Sequence, residues 1–127
     1  MNNKLLIVTH GEFGASIIDV ARKIIGSICD ECVFFLSNEG LSTSELSQKI
    51  SEFIDTDPDS NYIIATDFPG GSCFIASKRV SSRKKNASTI SGLNLSMLLS
   101  FLTKKDLYEG KKIKETMKTD GNRAIVT

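Results

Sequence analysis

The chain alternates short apolar runs with longer segments in which apolar residues recur every three or four positions. The short runs predict buried β-strands, and the longer spacing predicts amphipathic helices. The predicted strands cover residues 4–9, 32–36, 62–66 and 87–91. Strands and helices that alternate in this way indicate the α/β class, with a mostly parallel, doubly wound sheet flanked by helices.

Capping residues mark the ends of the predicted helices. The first helix follows the first strand and ends at Gly26, because glycine readily takes the backbone conformation that closes a helix. Ser42 and Glu45 form a capping-box signature at the start of the second helix, and the third is predicted to begin near Ser72. The apolar face of the first helix contains Ile17, Ile18, Ala21, Ile24 and Ile25.

The last third of the chain predicts two more helices and a final strand. The fourth helix carries an apolar stripe of Leu95, Leu98, Leu99 and Leu102. Residues 106–117 form a weakly patterned fifth helix, in which Gly110 costs about 1 kcal/mol of helix propensity relative to alanine. Residues 121–123 predict a turn, and residues 124–126 predict a short strand that ends the chain.

Two predicted strands end in side chains that can do chemistry. His10, the single histidine of the chain, follows the first strand, and Asp67 follows the third. In parallel sheets, ligands bind outside the carboxyl ends of the strands, where the strand order reverses. If the strand order is 2-1-3-4, that reversal falls between the first and third strands. The sequence therefore predicts that His10 and Asp67 meet in one site.

His10 and Asp67 are predicted as a catalytic pair. A carboxylate that accepts the Nδ1 proton holds the imidazole ring still and leaves the lone pair of Nε2 free to attack an electrophile. Glycines and a serine at helix starts can offer main-chain N–H groups and a hydroxyl to an anion. The predicted phosphoryl-binding positions are Gly11, Gly70, Gly71 and Ser72.

The composition is that of one globular domain over residues 1–127, with 40% hydrophobic and 24% charged residues. The formal net charge of +1 gives no electrostatic reason to expect nucleic acid as a partner. No stretch approaches the roughly 20 apolar residues of a membrane span. Three cysteines without a secretion signal predict thiols in a reducing compartment, so we expect a cytoplasmic protein.

No metal or cofactor is predicted. The chain lacks a Gly-x-x-x-x-Gly-Lys motif and a carboxylate cluster for magnesium, so nucleotide-dependent phosphoryl transfer is not expected. Cys29 and Cys32 form a Cys-x-x-Cys pair, but the pair follows a helix instead of opening one. It also falls at the opposite edge of the predicted sheet from His10, about 18 Å away, and is interpreted as two incidental thiols.

Three segments carry a resemblance to a known family. They are residues 7–11 (Ile-Val-Thr-His-Gly), 67–72 (Asp-Phe-Pro-Gly-Gly-Ser) and 90–98 (Ile-Ser-Gly-Leu-Asn-Leu-Ser-Met-Leu). In this order and spacing, the chain resembles the IIA domain of the mannose/fructose/sorbose class of the bacterial sugar phosphotransferase system (PTS). The resemblance implies that His10 accepts the phosphoryl group, that Asp67 positions the ring, and that Ser72 binds the phosphoryl group.

The resemblance also implies partners and a quaternary structure. Such domains receive phosphate from the phosphocarrier protein HPr and pass it to a IIB domain, which serves a membrane permease complex. A cytoplasmic location follows, at most peripheral to the membrane through that complex. The family fold has a four-stranded parallel sheet and an antiparallel C-terminal strand exchanged across a homodimer, and residues 124–126 fit that strand. Cys73 and Ser96 stand where the family commonly has proline, and Pro69 replaces a bulky or aliphatic residue.

Three alternatives remain open at this point. A receiver-like regulatory domain would be phosphorylated on Asp67, although it needs an acidic pair after the first strand and only Glu12 is nearby. A non-catalytic regulatory domain of the same fold would accept no phosphate. A phosphoryl donor to dihydroxyacetone kinase would serve kinase subunits instead of a IIB domain.

Overall fold

A computed structural model of the chain describes residues 2–27 and 30–127. Within these residues, four parallel strands form one sheet in the order β2-β1-β3-β4. The strands are β1 (Asn3–Thr9), β2 (Val33–Ser37), β3 (Asn61–Thr66) and β4 (Ala87–Ser91). The predicted α/β fold with strand order 2-1-3-4 is therefore confirmed.

Helices cover both faces of this sheet. They are α1 (Phe13–Ile25), α2 (Thr43–Asp55), α3 (Ser72–Ser81), α4 (Leu95–Lys104) and α5 (Lys111–Arg123). Helices α1, α4 and α5 pack on the face that Leu5 and Ile7 of β1 present, whereas α2 and α3 pack on the face of Leu6 and Val8. Successive residues of a strand point to opposite faces, so a central strand covered on both sides must be apolar throughout. This explains the unbroken apolar run of β1.

The register of the two central strands brings their carboxyl ends together. Val8 of β1 lies opposite Thr66 of β3, so the residues that leave these strands start from neighbouring points. The strand order reverses between β1 and β3, and the crevice of a doubly wound sheet opens there. Both His10 and Asp67 leave the sheet at this crevice.

The second helix begins as the sequence predicts. Ser42 Oγ accepts a hydrogen bond from the Glu45 N–H at 3.1 Å, and Glu45 Oε1 accepts one from the Ser42 N–H at 2.9 Å. Helix α1 also ends at Gly26, which has a φ of 98°. The buried apolar face of α1 is shorter than predicted. Ile24 is 57% exposed, and the last turn of the helix lies outside the core cluster.

The C-terminal region differs from the prediction made for it. Helix α5 begins only after Gly110, whose φ of 56° breaks the helix expected over residues 106–117. It then continues through Gly121, where a turn was expected. A β-carbon on Gly121 would lie 2.4 Å from Met97 Cγ, so glycine serves close helix packing there and not a turn. Residues 124–127 form no strand within the described chain, and strand exchange across a homodimer stays a prediction.

Candidate active site

His10 and Asp67 are in direct contact at the carboxyl edge of the sheet. Asp67 Oδ2 accepts one hydrogen bond from His10 Nδ1 at 2.7 Å and a second from the His10 main-chain N–H at 2.9 Å. One carboxylate oxygen thereby fixes both the backbone and the ring of the histidine. The meeting of these two residues, predicted from the strand ends, is observed.

The charge of Asp67 determines which ring nitrogen carries the proton. Burial favours a higher pKa for Asp67, but the hydrogen bonds that His10 and Phe68 donate outweigh it and hold the pKa below its ordinary value. An ionised carboxylate can only accept hydrogen bonds, so Nδ1 of His10 must be the donor. In the neutral ring, Nε2 then carries a free lone pair. The His10 side chain is 39% exposed, so the ring is accessible from solvent.

The loop before α3 passes close to Nε2. A β-carbon on Gly71 would lie 2.9 Å from His10 Nε2, so only a residue without a side chain fits beside the ring. Ser72 is the first residue of α3, directly beyond this glycine. The predicted positions Gly70, Gly71 and Ser72 therefore lie on the loop that faces the reactive side of the ring.

The N-terminus of α3 is suited to an anion. The first N–H groups of any helix have no partner inside the helix. Among the described residues, no side chain accepts a hydrogen bond at the Gly71 cap of α3. The start of α1 differs, because Thr9 Oγ1 accepts a hydrogen bond from the Gly14 N–H at 2.9 Å. An anion beside Nε2 would therefore meet unused donors on α3 and the positive end of its dipole.

The sequence predicts that the Gly11 N–H binds the phosphoryl group, but in the structure this N–H has a partner within the protein. It donates to Asn38 Oδ1 at 3.2 Å, so this donor is already used inside the protein. Gly11 has a φ of 53°, which allows the chain to turn sharply between His10 and α1. The sequence pattern does not single out Asn38. Its position after β2, a third strand that ends at the same edge, is the signal that could have identified it.

One exposed aromatic side chain packs on His10, and a second follows three residues later in the chain. The Phe68 ring centroid lies 5.3 Å from that of His10, with the rings inclined at 37°, and Phe68 is 50% exposed. Phe13, at the start of α1, is exposed to a similar degree. Exposed aromatic rings are common in protein interfaces, because they bury a large area at little cost in conformational entropy.

Cys73 lies behind this site. Its side chain is fully buried between α3 and the sheet, and burial together with the nearby Asp67 carboxylate raises the pKa of its thiol to about 11. The thiol is therefore protonated at neutral pH. Ligand atoms of His10, Asp67 and Cys73 lie within 4.8 Å of one another, a spacing that can hold a metal ion. Of the Cys-x-x-Cys pair, Cys29 falls outside the described residues and Cys32 precedes β2.

A separate groove runs between α2 and α3, with a volume of about 600 Å³. The cationic side chains along it are Arg79, Arg83 and Lys84. Lys84 Nζ is paired with Asp55 Oδ1 at 2.5 Å, and the Lys84 side chain is 18% exposed. Neither His10 nor Asp67 lines this groove. The chemistry of the described chain is therefore concentrated at the carboxyl edge of the sheet.

The fold and the site define a class: a doubly wound α/β domain in which a carboxylate orients an exposed histidine beside a helix N-terminus. A family model described as the PTS system fructose IIA component matches residues 4–118. The chain belongs to this family of phosphotransferase system proteins. The resemblance read from the sequence is confirmed, and the receiver-like alternative is set aside.

Solved structures of similar proteins agree with this assignment. The chain is 26% identical to phosphotransferase system component EIIA from Streptococcus agalactiae, with a TM-score of 0.84 over 98% of this chain and 95% of that one. The PTS IIA protein associated with the fucose utilization operon of Streptococcus pneumoniae is 19% identical, with a TM-score of 0.83 over 100% of this chain and 93% of that one.

A third relative shares the fold at lower identity. The mannose/sorbose specific IIA subunit from Enterococcus faecalis is 18% identical, with a TM-score of 0.78 over 100% of this chain and 95% of that one. At these identities the last two structures support the fold alone. The comparison with curated proteins gives no match. Over residues 2–27 and 30–127, no helix has both the length and the apolar character that crossing a bilayer requires.

Proposed function

We propose that this protein is a phosphocarrier that accepts a phosphoryl group from HPr on Nε2 of His10 and passes it to a IIB domain. The observation that carries the proposal is the 2.7 Å hydrogen bond from His10 Nδ1 to Asp67 Oδ2. It directs the lone pair of Nε2 outward, where a carrier protein can reach it. Membership of the PTS IIA family supports phosphoryl transfer as the type of reaction.

The transfer is an in-line displacement between two imidazoles. The Nε2 lone pair of His10 forms the new N–P bond while the N–P bond of the phosphorylated donor histidine breaks. The electron pair of the broken bond stays on the donor ring. Asp67 stabilises the positive charge that develops on the His10 ring, because its carboxylate is hydrogen-bonded to Nδ1. Transfer to IIB is the same reaction with His10 as the donor.

The phosphoryl oxygens are proposed to bind at the start of α3. Gly71 lies against the ring beside Nε2, and Gly70 and Ser72 adjoin it on the segment that opens α3. Their N–H groups and the helix dipole stabilise the negative charge of the phosphoryl group. Gly11 is proposed to contribute only the sharp turn of the main chain after His10, because its N–H already donates to Asn38 Oδ1.

Docking of the two partner proteins is proposed to use the rim of Phe13 and Phe68. Both rings are about half exposed; that of Phe68 packs on the His10 ring, and Phe13 follows His10 by three residues, at the start of α1. A cytoplasmic location is part of the proposal, with attachment to the membrane only through the permease complex. A homodimer is also expected, since the apolar Ile125 and Val126 are 75% and 84% exposed in the single chain.

The test is an intact-mass measurement with phosphoenolpyruvate, the upstream kinase and HPr. We expect a gain of one phosphate that acid removes and base does not, and we expect the His10→Gln protein to gain none. The chain has one histidine, so loss of the label in this variant assigns it directly. A label that persists in His10→Gln would overturn the proposal.

Two alternatives give different results in the same assay. A non-catalytic regulatory domain of this fold gains no phosphate at all. A donor to dihydroxyacetone kinase is labelled on His10 but discharges its phosphate to purified kinase subunits and not to IIB. A labelled protein should therefore be offered both acceptors in separate reactions.

A further inference from the structure

We infer that His10, Asp67 and Cys73 together form a binding site for a thiophilic divalent cation such as Zn²⁺, which inhibits this protein. The three residues supply an imidazole nitrogen, a carboxylate oxygen and a sulfur, all within 4.8 Å of one another. Zinc sites in proteins are built from these three types of atom. Because the ion occupies the histidine, it acts as an inhibitor and not as a cofactor of the transfer.

The geometry needs only a small adjustment to hold the ion. Metal–ligand bonds of about 2.0–2.3 Å place the ligand atoms of a tetrahedral site about 3.5 Å apart. Side-chain movements of about 1 Å therefore close the present spacing. The three residues lie after β1, after β3 and in the first turn of α3, so the backbone that carries them is held by the sheet and a helix.

The exposure of the three residues indicates how the ion enters. Cys73 is fully buried, the Asp67 side chain is 14% exposed and the His10 side chain is 39% exposed. The ion reaches the site from the side of the His10 ring, and a water molecule completes its coordination there. As the metal–sulfur bond forms, the thiol proton of Cys73 passes to water.

The inhibitory effect rests on the proposed function, whereas the binding does not. A metal that holds the ring and the carboxylate removes both the nucleophile and the group that orients it. It therefore blocks phosphoryl transfer from HPr without any change in the carrier itself. Binding can be measured in the absence of every phosphotransferase partner.

The Cys-x-x-Cys pair is the competing site for such an ion, and the structure allows a matched control. Leu5 of β1 lies opposite Val33 of β2, so Cys32 stands at the amino edge of the sheet. At ~3.3 Å per strand residue, this places Cys32 about 20 Å from His10. A Cys32→Ser variant removes the pair and leaves the candidate site intact.

The test is a titration of the reduced full-length protein with Co²⁺, whose thiolate complexes absorb in the near ultraviolet. We expect the Cys32→Ser protein to retain this band at one equivalent of Co²⁺, and the same protein with Cys73→Ser to lose it. Asp67→Asn and His10→Gln leave the buried core unchanged, and each should weaken binding by at least about 10- to 100-fold. Circular dichroism checks that each variant is folded.

Two results would overturn the inference. One is the absence of a thiolate band in Cys32→Ser, and the other is a band that survives the further change Cys73→Ser. In the phosphorylation assay, Zn²⁺ should suppress labelling of Cys32→Ser far more than labelling of the same protein with Cys73→Ser. If the protein binds Co²⁺ as expected but is never phosphorylated without metal, the proposed function has failed while the metal site stands.

Discussion

Gly71 lies against the ring of His10 so closely that a β-carbon on this residue would stand 2.5 Å from Cε1. Real β-carbons do not approach other heavy atoms to this distance, so any side chain at position 71 must displace the ring or the loop. The absence of a side chain here is therefore part of the geometry of the site.

Replacing Gly71 by alanine should slow phosphorylation of His10 without unfolding the protein. The methyl group pushes the ring away from Asp67 or lifts the loop, and a displacement of about 1 Å costs about 100-fold in rate. Single-turnover transfer from phosphorylated HPr measures this effect.

Gly70→Ala is the matched control for this change. A β-carbon on Gly70 would meet the Phe68 ring, at 3.0 Å, and not His10, and the main-chain N–H of residue 70 is kept. Because Phe68 belongs to the proposed docking rim, the two variants are compared at saturating phosphorylated HPr, where the rate of the control should stay close to that of the parent. Equal losses in both variants would contradict the role assigned to Gly71.

Asp67→Asn should destabilise the protein near neutral pH and remove part of its dependence on pH. The amide has the shape of the carboxylate but no charge, so its bonds to His10 weaken, by about 1–2 kcal/mol in the free energy of unfolding. The pKa of Asp67 lies below its ordinary 3.8 in the folded protein. Its stabilisation is therefore present above about pH 4 and is lost as the pH falls through the folded pKa.

Urea unfolding of both proteins at about pH 7 and about pH 3 measures this difference. The gap in the free energy of unfolding between parent and variant should be large at the higher pH and small at the lower. Other carboxylates that lose stability in acid are present in both proteins and cancel in the comparison. A gap that stays constant with pH would show that folding does not change the pKa of Asp67, contrary to the hydrogen bonds assigned to it.

Phe68→Ala should raise the KM for phosphorylated HPr by about 10-fold with a smaller effect on kcat. The ring is half exposed beside His10 and is proposed to be buried by the partner. Leu107→Ala is the control, because Leu107 is 69% exposed in the segment between α4 and α5. If both changes raise KM alike, the effect belongs to general surface hydrophobicity and the rim has no special role.

Gly121→Ala should lower the free energy of unfolding by about 1–3 kcal/mol, because the added methyl group overpacks the contact between α4 and α5. Its β-carbon would fall 2.4 Å from Met97 Cγ. Asn122→Ala, the exposed neighbour on the same helix, should have little effect. Thermal or urea unfolding gives both values. In a double variant with Met97→Ala the two effects should not add, since the shortened side chain leaves room for the methyl group.

The strands and the chemically useful residues at their ends followed from the sequence because both depend on local pattern. Apolar runs identified the strands, and the order 2-1-3-4 brought the ends of the first and third together. His10 and Asp67 are the residues at those ends, and Asp67 accepts two hydrogen bonds from His10. The strand order itself pairs distant segments and was taken as an assumption for a doubly wound sheet.

The remaining features depend on contacts between distant segments. Gly110 and Gly121 look alike in sequence, but the first has a positive φ and the second permits close packing on Met97. Asn38 binds the Gly11 N–H from another strand end, 27 residues away, and local pattern does not report such a pairing. The same holds for Cys73, whose proximity to Asp67 arises only when α3 packs on the sheet.

The anchoring of α5 also decides where a probe can be attached. Asn94, which follows β4, donates a hydrogen bond to the Gly121 carbonyl oxygen at 3.3 Å, so the end of α5 lies at the sheet edge that carries His10. Asn3 begins β1 at the other edge, a strand length of about 20 Å away. A dye or affinity tag on the amino-terminal side therefore leaves the histidine accessible, whereas one joined after residue 127 would lie near the surface that is proposed to receive carrier proteins.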